Sequence, residues 1–519
     1  MELSLPDVQT ALIGLPSRAD RDKQERLLET FVDAQPLFTL LQSTNNQAIF
    51  GRRGTGKTHA LKVLADWAAS NRDAALFLDL RTIGSNGSIY TDQELQFTER
   101  ATRLLLDVGR TIHDELLAFA TSDTARIRDG ARLADAFQRL EGALSTVRVA
   151  GTSEVSTTSA DTSVDSNKSS ASFLFGANPA PSLGAERERR STTETSVSTR
   201  ESGTRRYYIQ FPTIHDSIRD VLSNLHVERM WLLLDEWSEI PSELQPYLAD
   251  LLRRSILPTS EVTVKIAAIE HRTNFIIHQD GGSYIGFEAG ADVAADLNLD
   301  DFMVFDNDPE RARTFFANLF YKHYITTPNA SHVETPDQLI TFLFTQNRAF
   351  DELVRAAEGV PRDAIYLISK IAQRAFGKRI AMEDVQQGAR DWYQQDKYAV
   401  VRQDEKLSRL LEKLIEEMIG NRRSRAFLFR SGLRYPYLDR LFDARLLHIL
   451  KRGRSSPEEP GVRYDVSKLD YGCYVELLRT TTKTPLGLLL TDDNSYVEVP
   501  PDDYRSVRRA ILRPDNLDL

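Results

Sequence analysis

Eight residues constrain the fold of this chain more than any others: Gly51-Arg52-Arg53-Gly54-Thr55-Gly56-Lys57-Thr58. They match G-x-x-x-x-G-K-[ST] in full. Before them, Gln47-Ala48-Ile49-Phe50 is a short apolar run that suits a buried parallel strand. After them, His59 to Trp67 carries helical apolar spacing, and Ala75 to Leu80 reads as a second buried strand. Strand, glycine loop, helix and strand in that order make a βαβ unit, which predicts an α/β fold around a parallel sheet.

The chemistry of such a loop is phosphate binding. Glycines permit the tight turn and let backbone N–H groups point at phosphate oxygens. The N-terminus of the following helix adds partial positive charge. The whole run Gly51, Arg52, Arg53, Gly54, Thr55, Gly56, Lys57 and Thr58 is therefore expected to cradle ATP. Lys57 would reach the β- and γ-phosphates, and the Thr58 hydroxyl would bind Mg2+. The bland alternative is an ordinary glycine turn, which explains neither the lysine nor the flanks.

A second apolar run, Met230 to Leu234, ends in Asp235-Glu236. Asp235 stands where a metal-holding acid belongs, with Thr58 as its companion ligand. Glu236 is placed to orient or deprotonate an attacking water. Two solvated acids at a strand end are the alternative. Val262 to Ile269 reads as a further strand, lying between the strand before the glycine loop and the Met230–Leu234 strand, and Glu270, His271 and Arg272 follow it. One of these would sense the γ-phosphate, or all three merely cap the loop. Glu358-Gly359-Val360-Pro361-Arg362-Asp363 opens a helix, with Pro361 in its first turn. Arg362 either projects back to the nucleotide or lies exposed in a surface turn. The catalytic set is thus Lys57, Asp235, Glu236 and Arg362.

Three parts follow from the pattern. Residues 1–305 form a base domain, with a Ser/Thr-rich insertion over about 146–210. Residues 306–398 read as an all-α lid, and residues 399–519 as a winged-helix domain, in the order helix, helix, helix and two strands. Thr91 with Glu94 reads as a capping box that opens a long helix through Leu104 and Leu116. The last strand of the sheet is expected within Leu297 to Phe305.

Taken together, Gly51–Thr58, Leu232–Glu236 and the Gly359-Val360-Pro361-Arg362 turn resemble the AAA+ ATPases of the origin-recognition-complex type. The resemblance spans nearly the whole chain outside the insertion. It implies a base, a helical lid, a winged helix that grips duplex DNA, and Arg362 as the sensor-2 arginine. Leu234-Asp235-Glu236-Trp237-Ser238 looks most like bacterial members, some of which serve mobile elements or phage defence. The chain departs from the family at sensor 1, where Glu270 and His271 replace a clear Asn. Arg253, Arg254 and Arg272 are weak candidates for an arginine finger. The insertion is longer than the helical one that initiators carry there.

Composition bears on partners. The net charge of −10 argues against global attraction to DNA but permits a local basic surface. The expected recognition helix, Tyr437 to Leu447, carries Arg440 and Arg445, and the wing turn carries Lys451, Arg452 and Arg454. Arg422, Arg423 and Arg425 precede it. A protein-docking domain with a solvated basic turn is the alternative. The insertion is either a polar low-complexity loop or a two-stranded projection, with Phe173, Leu174 and Phe175 as an apolar tip for a protein partner. Neither face of its shaft is apolar, so lipid insertion is rejected. One cysteine, Cys473, excludes an internal disulfide and suits a reducing, cytoplasmic setting; it is assigned to the core. No run spans a bilayer. Two functions stand: an ATP-hydrolysing, DNA-binding switch in a homo- or hetero-oligomer, or a defence or signalling ATPase whose partner is a protein.

Overall fold

The computed structural model describes residues 4–16, 24–34, 36–83, 90, 92, 94–145, 147–150, 153–157, 197–201, 204–207, 209–300, 308–328, 330, 332–421, 426–433, 435–455, 461–480 and 511–513. Its centre is a five-stranded parallel sheet. The strands are β1 (Gln47–Phe50), β2 (Ala74–Asp79), β3 (Met230–Asp235), β4 (Val262–Ala268) and β5 (Ala294–Asn298). Their spatial order is β5-β1-β4-β3-β2. Every residue of β1, β3 and β4 is buried, whereas the edge strand β2 alternates. Central strands covered on both faces must be apolar throughout, which is why these runs lack a period of two. β4 lies between β1 and β3, as the sequence predicts. The last strand falls at Ala294–Asn298, earlier than the Leu297–Phe305 window.

Helix α1 (Lys57–Ser70) packs on one face of the sheet. The other face is covered by α2 (Phe97–Ser122), α3 (Gly130–Ser145), α4 (Phe211–Ser223) and α5 (Gln245–Ser255). α2 starts at Phe97 after Gln96, so Glu94 lies outside it. Thr91, the other half of the expected capping box, lies outside the described residues, and the Glu94 amide donates to Asp92. Val147–Ala150 pairs antiparallel with Thr204–Tyr207, and Ser153–Thr157 with Val197–Glu201. The insertion thus leaves the base as paired arms. Phe173, Leu174 and Phe175 lie outside the described residues.

The stretch expected as the lid comprises α6 (Pro309–Ile325), α7 (Pro336–Leu343), α8 (Asn347–Ala356), α9 (Pro361–Arg374) and α10 (Met382–Trp392). Asp308 caps α6 by accepting from the Arg311 amide, and Thr335 caps α7. The helix Leu5–Ile13, expected in the base, docks on the lid. Gln9 Nε2 donates to the carbonyls of Ala375 (3.0 Å) and Lys378 (2.9 Å), and Ser369 Oγ donates to that of Ile13 (2.9 Å).

After the lid come α11 (Glu405–Leu414), β6 (Ala426–Arg430), α12 (Pro436–Asp443), β7 (Leu447–Ser455), β8 (Arg463–Leu469) and α13 (Tyr471–Thr480). The order is helix, strand, helix, then two strands. Ala426–Arg430 is a strand where a helix was expected, and it completes a three-stranded antiparallel sheet in the order β6-β8-β7. The expected recognition helix ends at Asp443, and Leu447 already belongs to β7. One continuous apolar core joins Ile49, Trp231 and Leu233 of the sheet, Phe316 and Ile368 of the lid, and Phe427 and Leu441 of the C-terminal domain. Among the described residues no helix is long and apolar enough to cross a membrane.

Candidate active site

Parallel strands deliver their C-terminal ends to one side of the sheet, where ligands of open α/β sheets bind. β1 ends in the glycine loop and β3 ends in Asp235. Gly54 (φ 91°) and Gly56 (φ 97°) occupy the left-handed region, and Gly56 leads directly into α1. A Cβ at Gly54 would lie 2.9 Å from the Arg362 Cβ and 3.0 Å from Val360 Cγ1. The Arg362 amide donates to the Gly54 carbonyl at 3.3 Å. The first turn of α9 therefore rests on the loop, and only glycine admits so close an approach.

Lys57 Nζ donates to the carbonyls of Gly51 (2.7 Å) and Arg52 (3.0 Å). Burial lowers the ammonium's pKa, against the charges of Glu236, Asp300 and Asp235. Asp235 is 1% exposed. Burial pushes its carboxyl up to about 6, and the Glu236 charge adds to the rise. The adjoining Thr58 hydroxyl favours the ionised form, yet Asp235 Oδ2 has no partner at hydrogen-bond geometry. A buried, orphaned carboxylate oxygen beside a hydroxyl fits a hard cation, which takes oxygen ligands. The two metal-ligand candidates are thus brought together.

Glu236 adopts a left-handed backbone (φ 57°), which turns the chain sharply out of β3. Its carboxylate lies 3.8 Å from the Arg81 guanidinium, which is itself held by Asp79 at 2.6 Å. Asp79 pairs in register with Asp235 across β2 and β3.

A cavity of about 290 Å3 joins these groups. Gly54, Gly56, Lys57, Thr58, Glu236 and Arg362 line it. Pro16, Leu27, His59, Leu319, His323 and Ile365 line it as well, and sequence reasoning missed all of them. His59 Nε2 donates to the Leu27 carbonyl at 2.5 Å. Burial drops the His323 imidazole to about 3, so it is neutral near pH 7. The lining thus combines charged groups suited to phosphates with apolar side chains and a neutral imidazole suited to a base. The only sequence signal for the latter is the position of His59 next to Thr58.

Other expected groups go elsewhere. Arg53 lines the cavity but pairs with Glu239 at 2.5 Å. Thr55 is buried, and its hydroxyl donates to the Arg52 carbonyl at 2.9 Å. The Arg52 amide donates to Asp300 at 3.1 Å, and its side chain runs away from the cavity. Glu270, His271 and Arg272 form a short turn after β4, and none lines the cavity. Glu270 accepts from Arg452 at 2.8 Å, His271 pairs with Asp443 at 3.0 Å, and Arg272 Nε donates to Asp443 at 2.9 Å. In this structure their side chains pair with residues of β7 and α12. Arg253 and Arg254 pair with Asp250 at 2.8 and 2.7 Å.

The basic residues expected at DNA are also engaged within the chain. Arg440 pairs with Asp404 at 2.5 Å, and Arg445 with Asp363 and with Asp396 (2.7 Å). Arg452 meets Glu270. Lys451 lies in β7 opposite Val466; Arg422, Arg423 and Arg425 lie outside the described residues. Cys473 is buried, as expected.

No curated protein matches the chain. Residues 15–101, which hold the glycine loop, α1, β2 and the cavity-lining Pro16, Leu27 and His59, match the family model ORC-CDC6-like, and over that stretch the chain is similar to the ORC/CDC6-type AAA+ ATPases.

Proposed function

We propose that this protein is a Mg2+-dependent ATPase that works as a molecular switch and binds duplex DNA through its C-terminal domain. The observation that carries the ATPase reading is the convergence of Lys57, Thr58, Glu236 and Arg362 on one cavity shared by base and lid, with Asp235 beneath. Thr58 and Asp235 would hold the magnesium ion, which supplies charge neutralisation for the triphosphate. Lys57 leaves its carbonyl partners to neutralise the β- and γ-phosphates. Glu236 orients the attacking water and accepts its proton. Arg362, carried by the lid, stabilises charge on the transferred phosphoryl group. The test is Mg2+-dependent ATP turnover by the purified chain. Lys57→Ala should reduce it by roughly 10²–10³-fold; turnover retained in that variant would remove the site from the mechanism.

DNA binding is supported by the strand order β6-β8-β7, with the last strand central, and by a helix between β6 and β7 as a winged helix requires. A single helix stands there, and Arg440, Arg445 and Arg452 are paired with acids of the same chain. DNA engagement therefore requires the domain to leave its seat on the base and lid. Changing Lys451, Arg452 and Arg454 together to Glu should abolish duplex binding, whose affinity should fall steeply with salt. Undiminished binding favours the second reading, a defence or signalling ATPase with a protein partner, to which those same internal pairs already lend weight.

A further inference from the structure

His448, on β7 of the C-terminal domain, has a side chain only 1% exposed. Its two ring nitrogens face opposite partners. Nδ1 accepts from an Arg52 guanidinium N–H, and Nε2 donates to Asp470 Oδ2 at 2.9 Å. A guanidinium has no acceptor, so Nδ1 must be unprotonated and the ring proton must sit on Nε2. Burial and the Arg52 charge both lower the imidazole's pKa, in agreement with a neutral ring.

Arg52 is the second residue of the glycine loop. Its other arms reach Asp300 Oδ1 (2.9 Å), just beyond β5, and the Glu358 carbonyl (2.9 Å), in the turn before α9. Its own carbonyl accepts from Lys57 Nζ and from the Thr55 hydroxyl. The residue whose backbone seats the lysine is thus clamped at its far end by the C-terminal domain. The clamp is itself anchored: Lys397 holds Asp470 at 2.6 Å, and Lys468 holds the Glu358 carboxylate at 2.7 Å. Glu358, His448 and Asp470 converge closely enough to hold a metal ion, but Arg52, Lys397 and Lys468 already occupy them, and three cations disfavour a fourth.

We propose that His448 is a positioning residue of the nucleotide site, acting through Arg52, so that the seating of the C-terminal domain sets the shape of the phosphate loop. The proposal rests on the reading of Gly51–Thr58 as that loop. Coupling of this kind is reciprocal: a nucleotide that reshapes the loop must alter the seat of the domain.

Hydrogen exchange separates the proposal from the reading beneath it. In the ligand-free full-length chain, His448→Leu removes the acceptor and keeps an apolar side chain in the core. Amides of residues 51–58 should then exchange at least ~10-fold faster, and Mg-ATP should bind ~10-fold more weakly. His448→Gln offers a carbonyl to Arg52 and should restore both, a rescue that mere packing would not give. Unchanged exchange over 51–58 in the leucine variant overturns the proposal. If His448→Leu also strips protection from 426–469, Arg52→Met cuts the link from the loop side. Faster exchange at 447–450 then supports the proposal, and unchanged exchange there overturns it. Failure of the parent chain to bind Mg-ATP would sink the nucleotide reading and leave the exchange result standing.

Discussion

Two polar regions flank the same glycine loop, and they are built on opposite principles. On the cavity side, Asp235 Oδ2 has no hydrogen-bond partner, and Lys57 donates to carbonyls of its own loop rather than to a carboxylate. On the domain side, nearly every charge meets its opposite. Arg52, Lys397, Lys468 and Arg445 answer Asp300, Asp470, Glu358 and Asp363. Both regions are buried, so burial alone does not identify a binding site. The difference lies in satisfaction. Unsatisfied buried groups are costly unless a ligand completes them, whereas a matched network holds two bodies in one relative geometry.

The comparison breaks if substitutions on the two sides act alike. The largest effect is expected on the cavity side. Glu236→Gln keeps shape and hydrogen bonding but removes the base, so turnover should fall by roughly 10²–10⁴-fold with ATP still bound. Turnover at the parent rate in a single-turnover assay would take Glu236 out of the chemistry. Lys397→Ala, on the domain side, strands Asp470 without its cation and leaves Asp363 to Arg445 alone. It should cost about 3 kcal/mol of stability by chemical denaturation and alter the nucleotide site only through the domain. A loss below about 0.5 kcal/mol would show that the network does not hold the domain.

The smallest effect is in pH, and its sign differs between the two sides. Asp235, raised to about 6 by burial, takes up a proton as pH falls from 7 through 6. Mg2+-dependent nucleotide binding should weaken over that interval. The ligand-free fold should gain slightly in stability there, because a raised carboxyl is uncomfortable ionised. Asp300, Asp443 and Asp470 are also pushed up by burial. Their cationic and hydrogen-bonding partners (Arg52 for Asp300, His271 and Arg272 for Asp443, Lys397 and His448 for Asp470) nevertheless hold all three below the usual carboxylate range. Their contribution is complete above about pH 4 and is lost only as pH falls below it. Calorimetric binding and melting curves from about pH 8 to 4 should therefore show binding fail while the domain keeps its seat. Parallel loss of both would erase the distinction.

The cavity side was far more legible in the sequence than the domain side, for a physical reason. Gly51–Thr58 and Met230–Glu236 announce themselves through local chemistry: an apolar run long enough for one buried strand, then residues only a phosphate or a metal needs. Glu270, His271 and Arg272 could be placed at the end of β4 but not interpreted, because their partners Asp443 and Arg452 lie more than 170 residues away. Arg52 reads as a loop residue, and nothing near it in the chain hints at His448. Ala426–Arg430 is five residues of apolar and aromatic character, too short for periodicity to separate strand from helix. The docking of Leu5–Ile13 on the lid was invisible for the same reason, since Gln9 finds its acceptors beyond residue 370.

That docking gives the molecule a built-in pointer. Because Leu5–Ile13 is fastened to the lid rather than to the sheet, a dye on this helix would travel with α9 and Arg362. Asp7 is exposed there, and the chain's single native thiol, Cys473, is buried. A cysteine installed by Asp7→Cys would be the one accessible to maleimide among the described residues. Its fluorescence would read out the opening angle of the nucleotide cleft in real time, without touching a residue of the cavity.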